Sequence, residues 1–488
     1  MEDGYHISEL NFPEASITCI PVTTPNLAGS NSSIVSGLPD CLGIDSSRYS
    51  AATAVFTIGG LVGSILSARA TGKVGVIGSI KITGLLNAIG SLVMFAAPHW
   101  TVVLVGRIVA GIASGLAITT VPPLLSGISK TSTNSLVLSH SGSIGILNQL
   151  AIVLGIFSAQ VAGLIATGMK GDKLGGWRYV VLTSGLVAVI QLVAGHIRVP
   201  NGLMQERERS TKFLQEGTMN IEPDEAQSAI RAGQADNQDA ECRYSVSESI
   251  LREVLNTKTY PPASPLLPGD DNHNLPVASD NHPDTLHSLL SSPVLRPHVL
   301  LVAFCLIMQQ FSGINAVLFY STPVLKDLMP DKSGMIGILV SLINVAMTVP
   351  SLLLIDRVGR KPLLLMSVVG MAVSSTLLAV GLDGHFKILS SITIVTFVAS
   401  FALALGPVPF LLISELVPPQ AVPAVSSLAL SCSWISNFII ALAFLPLRNA
   451  LAYEDDKGQM QGEGRVFYMF LGIHLVALLV IQRRLYKD

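Results

Sequence analysis

Four hydrogen-bonding side chains lie close together inside a long apolar stretch of the chain. They are Gln309, Gln310, Ser312 and Asn315, all within seven consecutive positions. An amide offers both donors and an acceptor, so these side chains can match either role of a ligand's hydroxyl group. Amides inside a membrane helix are costly unless paired, and bonds between helices are their alternative role. Because four such groups exceed what packing needs, the pattern predicts a binding site for a neutral ligand, without covalent chemistry.

The composition indicates what kind of element positions these side chains. Half of the 488 residues are apolar, only 13% are charged, and the mean hydropathy is +0.57. Soluble domains carry about 25% charged residues, so the chain is not a single soluble core. The formal net charge of -2 gives no reason to expect a nucleic acid partner. Since no nucleophile–base pair or metal-ligand cluster stands out, neither an enzyme nor a metal site is expected.

Eleven apolar stretches, each long enough to cross a lipid bilayer as a helix, follow one another along the chain. They fall near residues 50–69, 76–97, 101–125, 139–165, 176–197, 297–320, 333–355, 362–381, 388–414, 423–446 and 466–483. A polar segment separates the first five from the last six. We therefore predict an N-terminal transmembrane bundle at 1–197, a cytoplasmic, partly disordered linker at 198–296, and a C-terminal transmembrane bundle with a short cytoplasmic tail at 297–488.

Basic residues set the predicted orientation of the helices. When the helices alternate, one side receives Lys73, Lys130, Arg357, Arg360, Lys361, Arg483, Arg484 and Lys487. That side is expected to be cytoplasmic, together with the linker and the C-terminus. The loop at 13–48 then faces the opposite compartment, where Asn31 is a candidate glycosylation site. Cys19 and Cys41 flank this loop, and the sequence leaves both a disulfide and two free thiols open.

Several sequence blocks resemble motifs of the sugar porter family of the major facilitator superfamily, the glucose-transporter-like proteins. The amide block reads QQFSGINAV at 309–317 and is similar to the family's QQ-x-SGIN motif. Residues 356–362 read DRVGRKP, as in its D-R-x-G-R-[RK] loop. Residues 406–416 read GPVPFLLISEL and residues 434–438 read WISNF, similar to its GP-x-P-W…[SA]E and N-W-x-x-N-F motifs. The blocks are spread over nearly the whole chain.

The resemblance implies an all-α membrane protein with the major facilitator fold, in which two six-helix bundles surround a central site. Residues 4–13 read GYHISELNFP and resemble the outer end of the family's first helix. The first helix is therefore expected to be truncated. The same segment resembles a fungal, vacuole-associated branch of the family.

The resemblance also implies roles for individual residues. The predicted substrate-binding residues are Gln149, Gln309, Gln310, Asn315, Asn344, Phe410, Trp434 and Asn437. Tyr320 is expected to help close the outer side. The predicted cytoplasmic gate consists of Arg107, Asp356, Arg357, Gly359, Arg360 and Glu415. No cofactor is implied.

Proton coupling would depend on two residues near the start of the chain. Proton-linked relatives carry Asp where His6 stands, facing the arginine that Arg107 matches. A histidine titrates near physiological pH, and Glu9, one turn later, could carry the proton instead. In the alternative interpretation, His6 and Glu9 simply face the polar loop.

The implied function is the transport of a neutral, hexose-like sugar or a polyol by alternating access, as a uniporter or with protons. The membrane is the plasma membrane or the vacuolar membrane. Residues 72–77 read GKVGVI and keep only one cation and the glycine of the family's charged loop. We therefore expect a weak barrier to cytoplasmic opening. This departure leaves an alternative, a sugar sensor or vacuolar sorting-related protein that does not transport.

Overall fold

The computed structural model describes residues 1–19, 37–131, 141–168, 175–196, 290–293, 295–317, 333–418, 421–454, 460–462 and 464–485. These residues belong to one unit, made of residues 1–197 and 282–488. Nearly all of the predicted linker, the candidate glycosylation site Asn31 and the outer-gate residue Tyr320 lie outside the described residues. The predictions made for them stay predictions.

The described residues form thirteen α-helices, one π-helical turn and a short β-ladder. The helices are α1 (Glu2–Ser8), α2 (Glu14–Thr18), α3 (Ser46–Phe95), α4 (Trp100–Thr131), α5 (Ser141–Thr167), α6 (Gly176–His196), α7 (Arg296–Phe311), α8 (Ser333–Val358), α9 (Arg360–Asp383), α10 (Lys387–Ser400), α11 (Val408–Glu415), α12 (Val422–Leu451) and α13 (Arg465–Arg484). The π-helical turn, Phe401–Leu405, follows α10 directly. The ladder pairs β1 (Tyr453–Glu454) with β2 (Met460–Gln461) in antiparallel register.

Ten helical segments among the described residues are long and apolar enough to cross a membrane. The first of them, Arg48–Phe95, has 48 residues. This is about 70 Å of helix, more than twice the thickness of a bilayer core. It is broken at Gly75, whose φ of 73° and ψ of 173° are not helical. Because the break makes two spans of one segment, the eleven predicted spans are all present, and the prediction of an α-helical membrane protein is confirmed.

A second glycine repeats the backbone conformation of Gly75 in the other half of the chain. Gly359 connects α8 to α9 with φ 89° and ψ 163°. A positive φ combined with a ψ near 180° is accessible almost only to glycine. In each half, one glycine therefore turns the chain between two consecutive spans.

The helices form two bundles that contact each other along α3 with α12 and along α5 with α8. Leu306, Leu363 and Phe397 are fully buried in the C-terminal bundle. Many large apolar side chains on the helices are exposed instead, such as Ile165 at 76%. Soluble monomers rarely expose apolar surface on this scale, whereas lipid covers it at no cost.

Polar contacts join the ends of α3 and α6 next to a disulfide between Cys19 and Cys41. The buried guanidinium of Arg178, in the first turn of α6, donates from Nη2 to the carbonyl oxygens of Pro39 at 2.8 Å and Ala97 at 2.9 Å. Its Nη1 donates to the carbonyl oxygen of Phe95, the last residue of α3, which has no helical donor. Of the two states that the sequence leaves open for the cysteine pair, the structure has the disulfide.

Candidate functional site

The break between the π-helical turn and α11 exposes backbone groups that need partners. Pro409 has no N–H, so the carbonyl of Leu405 loses its helical donor. The side chain of Gln309, in α7, supplies one, because its Nε2 donates to Leu405 O at 2.9 Å and to Gly406 O at 2.7 Å. The Ser367 hydroxyl accepts from Leu405 N at 3.0 Å. Gln309 therefore holds the bend with both of its donor hydrogens.

A cavity lies next to this bend, between the two bundles. It measures about 710 Å³, counting space that is open to solvent. All of the predicted substrate-binding residues line it: Gln149, Gln309, Gln310, Asn315, Asn344, Phe410, Trp434 and Asn437. Isoleucines and other apolar side chains complete the wall. The structure thus brings together the amides and aromatic residues that the sequence singles out, from five helices and from the turn after α7.

The amides that follow one another along α7 and the next turn form a chain of hydrogen bonds on the cavity wall. Asn315 Nδ2 donates to Gln310 Oε1 at 2.6 Å. Gln310 Nε2 donates to Ser433 Oγ at 2.9 Å and to Gln309 Oε1 at 3.3 Å. These contacts fix the side-chain orientations and use amide donors within the protein.

Another part of the wall combines free acceptors with aromatic rings. Asn344 Oδ1 and Asn437 Oδ1 are buried and have no hydrogen-bond partner in the described part of the chain. Trp434 and Phe410 are buried beside them, and the Trp434 ring packs edge-on against Phe56 with 5.8 Å between the ring centroids. Free acceptors and flat apolar rings together suit a ligand with hydroxyl donors and apolar faces.

Asp3, in α1, lines the same cavity and was missed by the sequence analysis. It is 7% exposed, and neither of its carboxylate oxygens has a hydrogen-bond partner among the described residues. It is also the one ionisable side chain among the described residues that line the cavity. The sequence feature that could have identified Asp3 is its acidic side chain directly before Gly4-Tyr5, where the segment that resembles the family's first helix begins.

A buried charged cluster lies beside the cavity in the N-terminal bundle. Glu9 Oε1 accepts from Arg107 Nη1 at 2.9 Å, and His6 Nδ1 lies 3.1 Å from Glu9 Oε2. Arg107 Nη1 also donates to the backbone oxygen of His6 at 2.6 Å, and the guanidinium stacks on Phe56 at 4.4 Å. His6 and Glu9 are completely buried. The interpretation that both face the polar loop is therefore wrong, because α1 packs between α4 and α5.

The structure also corrects the place of Arg107. Its assignment to the cytoplasmic gate is wrong, because Arg107 lies in the second turn of α4 and binds Glu9 and the backbone oxygen of Ala52, near the start of α3. The other gate residues lie at the ends of α8, α9 and α11, which we call the basic end.

At the basic end, charged groups connect helices within the C-terminal bundle and across the bundles. Arg360 Nη2 contacts Glu415 Oε1 at 2.7 Å, and Arg360 Nη1 lies 3.6 Å from Asp356 Oδ1. Asp356 Oδ2 accepts from the backbone nitrogen of Ser143 at 3.0 Å and from its hydroxyl at 2.7 Å. Because Ser143 belongs to α5, this contact joins the two bundles. Arg357 is exposed and lines a shallow groove there.

The described residues include no group of three or more His, Cys, Asp or Glu side chains that could hold a metal ion. The arrangement can bind a ligand through hydrogen bonds and ring contacts. The fold and the cavity together define a polytopic membrane protein with two helical bundles around a polar central site.

The sequence profile of the family described as "Sugar (and other) transporter" matches residues 3–263 and 274–486. The chain belongs to this family, the sugar porters of the major facilitator superfamily, and the resemblance noted in the sequence is confirmed.

Two relatives and one solved protein illustrate the similarity. The probable metabolite transport protein YBR241C of Saccharomyces cerevisiae is 28% identical over 90% of this chain and 83% of its own length. The facilitated glucose transporter member 3 of solute carrier family 2 from Gallus gallus is 28% identical over 91% of this chain and 80% of its own. The proton:xylose symporter XylE superposes with a TM-score of 0.67 at 20% identity, over 99% of this chain and 92% of XylE. The major facilitator fold is thereby confirmed.

Proposed function

We propose that the protein transports a neutral, hexose-like sugar or a polyol across the membrane by alternating access. The observation that carries the proposal is the common cavity, because Gln149 of the N-terminal bundle and the amides and aromatic side chains of the C-terminal bundle line one space. In this fold, rocking of the bundles around a central site exposes the site to each side in turn. We further propose that the basic end, the linker and the C-terminus are cytoplasmic, and that the membrane is the plasma membrane or the vacuolar membrane.

The names of similar proteins support the substrate class. The Gallus gallus relative is named a facilitated glucose transporter, and XylE was solved with a bound glucose derivative, 6-bromo-6-deoxy-D-glucose. The neutral amides of the C-terminal bundle favour hydroxyl groups over a charged substrate.

Tracer uptake by the purified full-length protein in proteoliposomes tests the proposal. Radiolabelled hexoses, pentoses and inositol are offered separately, and at least one is expected to show saturable uptake. Asn344→Ala should reduce this uptake because it removes a free acceptor from the cavity. Asn148→Ala is the matched control, since Asn148 is a buried amide next to Gln149 that lines a different cavity. Absence of saturable uptake of every compound would contradict transport.

The buried Glu9–Arg107 pair is the basis for choosing between a uniporter and a proton symporter. A carboxylate that can exchange its partner or accept a proton inside the bundle could couple a proton to sugar movement. Uptake is measured with and without an inward proton gradient. Faster accumulation with the gradient would support a symporter, and identical rates would support a uniporter.

A sugar sensor or vacuolar sorting-related protein is the second candidate. The segment 72–77 retains one cation, Lys73, which is exposed, so the N-terminal half lacks the charged loop of transporting relatives. A relative of 25% identity is named vacuolar protein sorting-associated protein 73, from Saccharomyces cerevisiae. Saturable sugar binding without any tracer flux would favour this candidate over transport.

A further inference from the structure

Asp3 combines features that set it apart from the neutral side chains around it. It is ionisable, it is buried at the cavity wall, and both carboxylate oxygens lack hydrogen-bond partners in the described part of the chain. A buried polar group without a partner is costly, more so when it is charged. A ligand that donates hydrogen bonds to these oxygens would offset that cost each time it binds.

We propose that Asp3 is a substrate-contact residue that selects ligands with two adjacent hydroxyl groups. The two oxygens of one carboxylate are both acceptors, so they can receive hydrogen bonds from two neighbouring hydroxyls at once. The inference rests on the proposed function, because it names the group that recognises the sugar or polyol from the N-terminal bundle. It extends the binding site beyond the amides that the family motifs mark.

The surroundings of Asp3 leave both of its carboxylate oxygens without a hydrogen bond from the described residues, at the wall of the central cavity and of a second cavity beside it. Glu2, the neighbouring acid, is hydrogen-bonded to Asn87 and lines the second cavity but not the central one. His6 lies next to Glu9. The Ser114 hydroxyl and the amino group of Met1 lie near the Asp3 carboxylate, but neither makes a hydrogen bond to its oxygens. Thus Glu2 and Glu9 are hydrogen-bonded to side chains of the protein, whereas the oxygens of Asp3 can still accept hydrogen bonds from a ligand.

The remaining free groups of the cavity explain why the partner is a diol rather than a cation. Asn344 Oδ1 and Asn437 Oδ1 are also unpaired acceptors, but they are neutral. A ligand that satisfies all three residues must present donors at several points of its surface, as a polyhydroxylated compound does. A single ammonium group would satisfy only the carboxylate.

A cycle of protein and ligand changes tests the inference in the full-length protein in proteoliposomes. Monodeoxy versions of the best-transported sugar or polyol compete with tracer uptake by the wild type and by Asp3→Asn. A hydrogen bond to a charged group corresponds to about 10- to 100-fold in affinity. We expect the wild type to lose this factor when either of two adjacent hydroxyls is removed. Asp3→Asn should lose a similar factor for the parent compound and little more for those deoxy analogues.

Glu2→Gln is the matched control, because it neutralises the adjacent acid outside the central cavity and should keep wild-type discrimination. If Asp3→Asn discriminates as the wild type does, the inference is overturned while the proposed function stands. If Asp3→Asn does not fold, the wild-type series decides, and the absence of two adjacent sensitive hydroxyls overturns the inference. Tenfold tighter binding of an amino sugar than of its parent would also overturn it. A wild type without saturable uptake would instead remove the proposed function.

Discussion

At the scale of single residues, Gln309 serves the backbone as well as the cavity. Gln309→Leu would leave the carbonyls of Leu405 and Gly406 without their donor, at a cost of about 1–3 kcal/mol for each buried group. We expect a lower melting temperature and weaker sugar binding. Asn344→Ala removes an unpaired acceptor and should weaken binding with little change in melting temperature. Thermal unfolding in detergent and sugar binding are measured on both variants.

The comparison separates a supporting role from a binding role. A Gln309→Leu variant as stable as Asn344→Ala would mean that the bend holds without the amide. Equal loss of stability in both variants would mean that Asn344 also supports the fold, and its placement as a free acceptor would be wrong.

Glu9 and Arg107 allow a second prediction at this scale. Glu9→Gln leaves the Arg107 charge buried and unpaired, and breaking such a pair costs about 3–5 kcal/mol. We expect a clear fall in thermal stability and loss of any acceleration of uptake by a proton gradient. The double variant Glu9→Gln, Arg107→Gln should regain part of the stability, since no unpaired charge remains, but it should not regain coupling.

Thermal unfolding and gradient-driven uptake are the two measurements, and the double variant is the control for stability. Undiminished gradient-driven uptake by Glu9→Gln would exclude Glu9 as the proton carrier. In that case His6, beside it, would remain the candidate.

At the scale of the elements, the break in α3 depends on one backbone conformation. An alanine at Gly75 would have no atom within 4 Å of its Cβ, but it would have to adopt the positive φ of 73°. We expect Gly75→Ala to destabilise the protein by about 1–3 kcal/mol through backbone strain alone. Gly72→Ala is the matched control. Gly72 also has open space around its Cβ position, but it has no positive φ, so alanine should be neutral or slightly stabilising there.

Thermal unfolding of the two alanine variants checks this prediction. Equal stability of Gly75→Ala and Gly72→Ala would mean that the two spans form one straight helix. Such a helix would be too long for the bilayer, and the count of eleven spans would fail.

The elements also show how far the sequence predicts this molecule. The membrane spans were predictable because lipid requires apolar side chains along the whole helix. This requirement produces a continuous apolar run that is visible in the sequence. The cavity amides were predictable because they interrupt such runs. The bond from Gln309 to Leu405 joins residues 96 positions apart and depends on how the bend after α10 packs against α7, which no local pattern encodes.

Asp3 and Arg107 were harder to predict for a related reason. Considered alone, the polar N-terminal segment of the chain predicts side chains that are exposed to solvent. Packing of α1 between α4 and α5 buries its charges and determines their partners. The pairing of Arg107 with Glu9 likewise depends on tertiary packing, which the local sequence does not show.

At the scale of the whole molecule, function depends on how firmly the bundles hold each other. Described hydrogen bonds cross between them at two places. Ser143 donates to Asp356 Oδ2 and to the carbonyl oxygen of Leu352, and Ser427 Oγ donates to the carbonyl oxygen of Ser64 at 2.7 Å. The Arg360–Glu415 pair, by contrast, lies within the C-terminal bundle. Alternating access requires the crossing contacts to break when the basic end opens, whereas contacts inside one bundle can persist.

Asp356→Ala should therefore favour the state that is open at the basic end. It removes the acceptor of the Ser143 backbone nitrogen and one of the two acceptors of the Ser143 hydroxyl. Loss of about 1 kcal/mol would raise the open population by about fivefold. The rate at which an impermeant maleimide labels Val121→Cys, in the second cavity, reports this population. The other cysteines outside the disulfide are replaced in this background. Glu415→Gln is the control, since its described bonds all go to Arg360 in the same bundle. Faster labelling with Asp356→Ala alone identifies the contact to Ser143 as a closing contact. Equal rates in both variants would show that the bundles are held together elsewhere.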